Sequence, residues 1–275
     1  MRVYGLDFTS APGPGKPLTV AVCALDGDTL RLERLQRLAG LEGFESLLDS
    51  PGPWILGADF PFGQPRRLVG ALGWPDSWEG YVARVAEMGK QRYEETLRAY
   101  IQRRPKGDKL HRRAGDVRAG AISPMKLDYV PVGKMFFEGA VRLLRSSVCV
   151  EPCRPARDGR VVVEAYPALV ARWALEGRRG YKEPKDARAR ALRREARAEI
   201  LRRITGPGLR QAYGIALRLK PGDHDQALED DRGDLLDSML CAVQAARAWT
   251  RRGAGYGLPP DCDPLEGHIA DPATG

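Results

Sequence analysis

The chain has 275 residues, of which 43% are hydrophobic, and its 44 Lys and Arg against 36 Asp and Glu give a formal net charge of +8. The hydrophobic content excludes a disordered chain, and the length predicts one elaborated domain over residues 1–275. The sequence has no apolar run of the roughly 18 residues that a membrane span needs and no signal-peptide pattern. We therefore expect a cytoplasmic protein without a membrane partner.

The first part of the chain predicts a meander of three antiparallel strands, a helix and a fourth strand. The strand patterns lie at Val3–Phe8, Leu18–Leu25 and Thr29–Leu35. Leu41–Leu48 then has helical apolar spacing, and a Pro-Gly-Pro stretch ends it. The buried strand Trp54–Asp59 follows this crossover helix, so it is expected to lie parallel to a strand already in the sheet.

Residues 65–158 interrupt this pattern and are predicted to form a mostly helical, basic insertion. A fifth strand follows at Arg160–Glu164, where the apolar run resumes. Further helices are predicted from Pro167 to about Glu176, over Lys185–Ile204 and over Asp234–Arg252, with a turn-rich stretch at residues 206–225. Strands that alternate with helices in this way predict the α/β class.

Three of the predicted strands end in a carboxylate, namely Asp7, Asp59 and Glu164. An acid at a strand end is also ordinary turn chemistry, so any one of them has a plain structural explanation. If the first strand and the strand at Trp54 are parallel neighbours, their backbones lie about 4.8 Å apart. Asp7 and Asp59 would then face one crevice at the carboxyl ends of the strands, where open α/β sheets bind ligands.

The last predicted helix adds a second group of acids near its beginning. Asp234 and Asp237 are three residues apart and share one helix face. Capping of the helix explains Asp234 adequately, whereas a partner cation or a metal explains Asp237 better. Converging carboxylates with few His or Cys select hard cations, so we expect one or two Mg²⁺ or Mn²⁺ ions. Two such ions can activate a water and stabilise the leaving oxygen in phosphodiester cleavage.

Several motifs together resemble domain-of-unknown-function family four-two-nine, whose members are predicted to be ribonuclease H-like nucleases. The motifs are GLDFTS, GADFPFGQP, VVVEAYP, DRGDLLDSMLCAVQAA and EGHIADP. The resemblance implies a ribonuclease H-like three-layer α/β/α fold. Its mixed sheet would have five strands in the order 3-2-1-4-5, with the helical insertion between strands 4 and 5.

The same resemblance implies roles for the acids. Asp7, Asp59 and Asp237 correspond to the metal-binding positions, and Asp234 is the alternative acid on the helix. Glu164, on the fifth strand, would be an outer ligand or would position the water. The candidate catalytic residues are therefore Asp7, Asp59, Glu164 and Asp237, and the candidate metal ligands are Asp7, Asp59, Asp234 and Asp237.

The predicted insertion contains a basic segment at residues 103–113. Its candidate nucleic-acid contacts are Arg103, Arg104, Lys106, Lys109, Arg112 and Arg113. The segment would follow a phosphate backbone above the crevice, and a solvated loop is the alternative. By resemblance, Arg112, Arg113 and Asp116 form an Arg-Arg-x-Asp-like element that reaches the site. His111 could act as a proton shuttle or be an ordinary surface residue.

The leading hypothesis is a metal-dependent nuclease or phosphodiesterase that acts on nucleic acid. One alternative is a phosphotransferase or ATPase of the actin and sugar-kinase type, which shares a first-strand Asp and a related sheet. That fold needs a Gly-rich turn directly after the first strand, whereas here the glycines come only at Gly13 and Gly15. The other alternative is a catalytically silent scaffold that binds nucleic acid through the basic segment.

Overall fold

A computed structural model describes residues 1–274, and within them seven strands form one mixed sheet. The strands are β1 (Arg2–Asp7), β2 (Leu18–Asp26), β3 (Thr29–Leu38), β4 (Trp54–Ala58), β5 (Cys149–Glu151), β6 (Arg160–Glu164) and β7 (Ala216–Arg218). Their order across the sheet is β5-β6-β4-β1-β2-β3-β7. β2 runs antiparallel to β1 and β3, and the other neighbouring pairs are parallel.

The α/β class and the mixed sheet are confirmed, but the expected number of five strands is wrong. The additional strands, β5 and β7, lie at the two edges of the sheet and contain three residues each. Strands this short contain too little apolar alternation for a sequence pattern to separate them from loops.

Ten α-helices lie within the described part of the chain. They are α1 (Leu41–Leu48), α2 (Arg66–Ala71), α3 (Trp78–Gln102), α4 (Ala114–Ala119), α5 (Val132–Arg145), α6 (Pro167–Ala174), α7 (Ala187–Thr205), α8 (Pro207–Tyr213), α9 (Pro221–Glu229) and α10 (Asp234–Thr250). The expectation of turns at residues 206–225 is wrong, because α8, β7 and the first turn of α9 occupy this stretch. Across residues 1–274, no helix combines the length and the apolar character that crossing a membrane requires.

Helices cover both faces of the sheet, because alternate strand residues point to opposite sides. Val3 and Ile55 belong to the core that includes residues of α6, α7 and α10. Leu6 and Leu56 belong to the opposite core, which includes residues of α1, α3 and α5. The segment 65–158 thus contributes α3 and α5 to one of the two cores, and its status as an insertion stays a prediction.

Two glycines allow α10 to lie directly on the sheet. Gly5 on β1 and Gly57 on β4 are paired in register on adjacent parallel strands. A Cβ atom added to Gly57 would lie 2.5 Å from the carbonyl oxygen of Cys241 on α10, and one added to Gly5 would overlap the backbone at Ser238 and Ala242. Because these neighbours are backbone atoms, they cannot rotate out of the way. The glycine pair therefore sets how closely the first turns of α10 approach β1 and β4.

Gly57→Ala should lower the free energy of unfolding by roughly 1–3 kcal/mol, the usual cost of overpacking a core. Urea denaturation of both proteins measures this change. Gly70→Ala is the matched control, because Gly70 lies on an exposed part of α2 and an added Cβ would meet no atom within 4 Å. Since Ala favours helix over Gly, the control should be as stable as the wild type or slightly more stable. Equal destabilisation of both variants would contradict the packing argument.

Candidate metal centre

Three carboxylates converge at the carboxyl ends of β1 and β4, under the first turn of α10. Asp7 is the last residue of β1, Asp59 directly follows β4, and Asp237 lies in the first turn of α10. One oxygen from each carboxylate lies within 4.8 Å of the other two. β1 and β4 run parallel with Leu6 opposite Ala58, so the next residue on each chain is an acid. The expectation that neighbouring strand ends bring Asp7 and Asp59 together agrees with this geometry.

Asp7 and Asp59 are poorly compensated acids. Burial, followed by the charge of Asp237, raises the pKa of Asp7 well above its usual range. Burial and Asp237 likewise raise the pKa of Asp59 to about 7, with Glu164 adding to the effect. Among residues 1–274, no backbone or side-chain group donates a hydrogen bond to either carboxylate. Their lone pairs are therefore available to a cation, which would also remove the repulsion between the acids.

Asp237 is fully buried and is held in place by two neighbouring residues. The Tyr181 hydroxyl donates a hydrogen bond of 2.6 Å to Asp237 Oδ1, and the Lys182 ammonium contacts Oδ2. Burial alone would lower the pKa of Lys182, but Asp237, Tyr181 and Asp7 raise it by more, so the ammonium stays charged. Lys182 is thus an internal counter-ion of the carboxylate cluster.

Sequence reasoning missed Tyr181 and Lys182. Both lie in the connection between α6 and α7, a stretch of basic and glycine residues with no recognisable motif. No local signal could have found them, because their position beside Asp237 depends on how this connection folds back over α10. A charged residue that enters a site from a loop is visible only in the tertiary structure.

The structure separates the two helix acids. Asp237 belongs to the convergent group, whereas, within the described residues, the group does not include Asp234. Asp234 is the first residue of α10 and is partly buried, and burial and Asp230 raise its pKa. The geometry therefore favours Asp237 as the helix ligand and leaves Asp234 at the margin of the cluster.

Glu164 lies next to the cluster but is already paired. Its carboxylate receives two hydrogen bonds from the Arg113 guanidinium, of 2.5 and 2.7 Å, and one of 2.9 Å from the Phe62 amide. The side chain is buried at the end of β6, opposite Ala58 on β4. Because its oxygens already accept three hydrogen bonds, Glu164 fits an outer position in the site better than that of a direct metal ligand.

Arg113 lies in the core, whereas the sequence placed it in a surface segment that contacts phosphates. Two of its donors reach Glu164, two reach Asp116 at 2.7 and 3.1 Å, and one reaches the Glu266 carbonyl oxygen at 3.0 Å. These contacts use all five guanidinium N–H groups. Arg113 and Asp116 do reach the neighbourhood of the carboxylates, but Arg113 has no donor left for a phosphate.

The other cations of the basic segment have different surroundings. Arg103, Lys106, Lys109 and Arg112 are exposed, in agreement with either a phosphate-binding surface or a solvated loop. Arg104 is half-buried and pairs with Asp108, which also accepts hydrogen bonds of 2.7 and 2.8 Å from Arg67.

His111 is buried and lies outside the lining of the pocket at the carboxylates. Its Nε2 atom is 2.7 Å from the Tyr100 hydroxyl, and its Nδ1 atom is 3.4 Å from Asp108. Burial, with the nearby charges of Arg67 and Arg104, lowers the pKa of His111. The expected alternatives of a proton shuttle and a surface residue both fit this placement poorly, because the ring packs inside the fold.

The family described as Protein of unknown function (DUF429) matches residues 5–263, so the chain belongs to this family. The matched range contains the whole carboxylate cluster and most of the sheet. Searches of curated proteins and of solved structures found no match.

The cluster should bind Mn²⁺, and Asp237→Asn should weaken this binding at least about tenfold, because the ion loses one of three charged ligands. Titration of free Mn²⁺ followed by electron paramagnetic resonance measures the affinity without any reaction. Asp234→Asn is the matched control on the same helix turn and should change the affinity much less. A larger loss in Asp234→Asn than in Asp237→Asn would reverse the assignment of the helix ligand.

Without metal, Asp59→Asn should make the protein more stable at pH 8. The pKa of Asp59 is raised to about 7 in the folded protein, so between the usual carboxyl range and pH 7 the folded chain binds the proton more tightly than the unfolded chain. Stability from this group is therefore lost as the pH rises through that window. Removing it should raise the free energy of unfolding at pH 8 by roughly 1–3 kcal/mol.

Denaturation in EDTA at pH 5 and pH 8 tests this expectation. The gain from Asp59→Asn should be larger at pH 8 than at pH 5, since the wild-type carboxylate is ionised only at the higher pH. A variant that is less stable than the wild type at pH 8 would show that Asp59 contributes a favourable interaction instead.

Proposed function

We propose that the protein is a metal-dependent phosphodiesterase of the ribonuclease H-like class, which hydrolyses nucleic acid with Mg²⁺ or Mn²⁺. The observation that carries the proposal is the convergence of Asp7, Asp59 and Asp237 within 4.8 Å at the carboxyl ends of two parallel strands. This position is the usual ligand site of an open α/β sheet.

The arrangement of the elements supports the same class. Five of the strands follow each other as β3-β2-β1-β4-β6 within the larger sheet. This order is the one that the family resemblance implies for a ribonuclease H-like sheet. The acids lie on the first strand, directly after the fourth strand, and on the last α-helix, also as the resemblance implies.

The donor set fits a hard divalent cation. Asp7, Asp59 and Asp237 would hold it through carboxylate oxygens, the ligands that Mg²⁺ and Mn²⁺ prefer. When bound, such an ion supplies positive charge to phosphate oxygens and lowers the pKa of a water molecule. Burial and the charge of Asp237 raise the pKa values of Asp7 and Asp59, and a bound cation would offset both effects.

The remaining residues of the site would bind the substrate phosphate and hold the carboxylates in position. Tyr181 holds Asp237 through its hydroxyl, which fixes the carboxylate before any ligand arrives. The ammonium of Lys182 has three N–H donors and is partly exposed, so it can contact Asp237 and a phosphate oxygen together. Arg113 and Glu164 form the rigid buried pair behind Asp59.

The phosphotransferase or ATPase alternative has less support. Nucleotide phosphates in such folds approach a Gly-rich turn directly after the first strand. β1 ends at Asp7, and Gly13 is the first glycine after it, in a turn that pairs with Lys16. A catalytically silent scaffold, the third hypothesis, would bind nucleic acid in the same way with or without Asp7.

Single-stranded and double-stranded DNA and RNA incubated with Mg²⁺ or Mn²⁺ test the proposal. The wild type should cleave at least one of them, and Asp7→Asn should reduce the rate at least about a hundredfold, because removing a metal ligand removes most of the charge stabilisation. Gel separation of end-labelled strands measures the rate.

Asp26→Asn provides the matched control. Asp26 also ends a strand of this sheet, β2, but it is exposed and lies outside the cluster. Its replacement should leave cleavage unchanged. Equal activity in Asp7→Asn and wild type, or no cleavage of any of the four substrates with either ion, would contradict the proposal.

A further inference from the structure

A cavity of about 280 Å³ opens beside the carboxylate cluster, and the proposed metal chemistry does not account for it. Its lining includes Asp59, Asp237 and Lys182, the residues that face the reacting phosphate in the proposed function. It also includes residues of the connection between α4 and α5 and of the start of α6. The cavity therefore combines charged side chains at the cluster with residues that the metal chemistry does not use.

Part of the cavity lining is apolar and is called the apolar wall below. It includes Ile122, Val130, Val132, Met135 and Pro167. Ile122 and Val130 are 39% and 45% exposed. Exposed apolar side chains that gather around a cavity indicate a binding surface, whereas isolated ones on a convex surface need no explanation.

The exposed large apolar residues lie mostly in one short stretch of the chain. Within residues 1–274, six large hydrophobic side chains are exposed, and five of them lie between residues 110 and 130. The sixth, Leu192, lies on α7. Two of the five, Ile122 and Val130, line the cavity at the carboxylates, whereas Leu110 and Tyr129 line a different pocket.

An aromatic ring also lines the cavity and is held in place. Tyr166 receives a hydrogen bond of 3.1 Å from Arg172, whose guanidinium lies 5.4 Å from the centre of the ring. A fixed aromatic ring and aliphatic side chains bind flat, weakly polar rings well and make few hydrogen bonds to them. A nucleobase is the flat ring that accompanies the phosphate of a nucleic acid.

We propose that this cavity binds one unpaired nucleobase next to the phosphate that contacts the carboxylate cluster, an inference that rests on the proposed function. Ligand pockets commonly range over roughly 300–1,000 Å³, so a cavity of about 280 Å³ has room for one nucleotide and not for a stacked base pair. A base in a duplex would have to leave its stack to enter, at a cost of a few kcal/mol. The protein therefore prefers single-stranded substrate.

The apolar wall also predicts that the cavity distinguishes the four bases only weakly. Stacking and apolar contacts are available to every base, since each has a similar aromatic face. The wall residues Ile122, Val130 and Val132 have no side-chain polar atom that could read a base edge. We expect binding to depend on strand pairing much more than on sequence.

Binding of a ten-nucleotide single strand that carries 2-aminopurine tests the inference separately from cleavage. The experiment uses the full-length Asp7→Asn protein with Mn²⁺, so that the probe stays intact, and DNA and RNA versions of the probe. Fluorescence of 2-aminopurine changes when the base leaves its neighbours and enters a pocket. The single strand should bind at least about tenfold more tightly than the same sequence in a duplex.

The double variant Ile122→Asn with Val130→Asn, in the same background, should weaken single-strand binding about tenfold. Its Mn²⁺ affinity should stay unchanged, because neither residue belongs to the carboxylate cluster. The matched control combines Val117→Asn with Leu192→Asn, two residues that are 56% exposed and outside the cavity lining. This control should bind the probe as the background protein does.

The outcomes separate the two proposals. Equal binding of single strand and duplex, or equal affinity of the two double variants, would overturn the cavity inference even if the wild type cleaves nucleic acid. Conversely, if the wild type cleaves nothing but the Ile122 and Val130 variant selectively loses the single strand, the base-binding cavity stands and the nuclease proposal fails.

Discussion

The close approach of α10 to the sheet at Gly5 and Gly57 is the constraint on which the carboxylate cluster depends. The two glycines lie side by side on parallel strands, and a side chain at either would overlap the helix backbone. Asp237 directly precedes Ser238, whose carbonyl oxygen packs against Gly5. This contact sets the height of Asp237 above the sheet. The strand ends then place Asp7 and Asp59 within 4.8 Å of it.

Two neighbouring groups of charged residues differ in how far the protein itself compensates their charges. Glu164 and Asp116 share the guanidinium of Arg113, whose five donors are all used inside the protein. Asp7 and Asp59 accept no hydrogen bond from residues 1–274, and their pKa values are raised. Burying charge without partners costs stability. Under the proposed function, a bound cation would offset this cost at Asp7 and Asp59.

Sequence patterns predicted the long elements and the cluster on β1, β4 and α10, and failed where a residue's neighbours come from distant parts of the chain. β6 and the start of α10 agree with the structure to the residue, because charged residues bound the apolar run of β6 and an apolar face repeats along α10. The edge strands β5 and β7 were missed, since three residues cannot show a period. Arg113 belonged to a basic run by composition, yet it lies buried between two acids.

The sequence by itself determined the α/β class, the identity of the acids at strand ends and the parallel pairing that brings Asp7 to Asp59. These follow from local periodicity and from the direction of the chain, which neighbouring residues encode. Only the tertiary structure decided that Asp237 and not Asp234 joins them, that Lys182 pairs with Asp237, and that a partly apolar cavity adjoins the cluster. These three features depend on contacts between residues that are far apart in the sequence. Only the packing of helices and loops against the sheet brings such residues together.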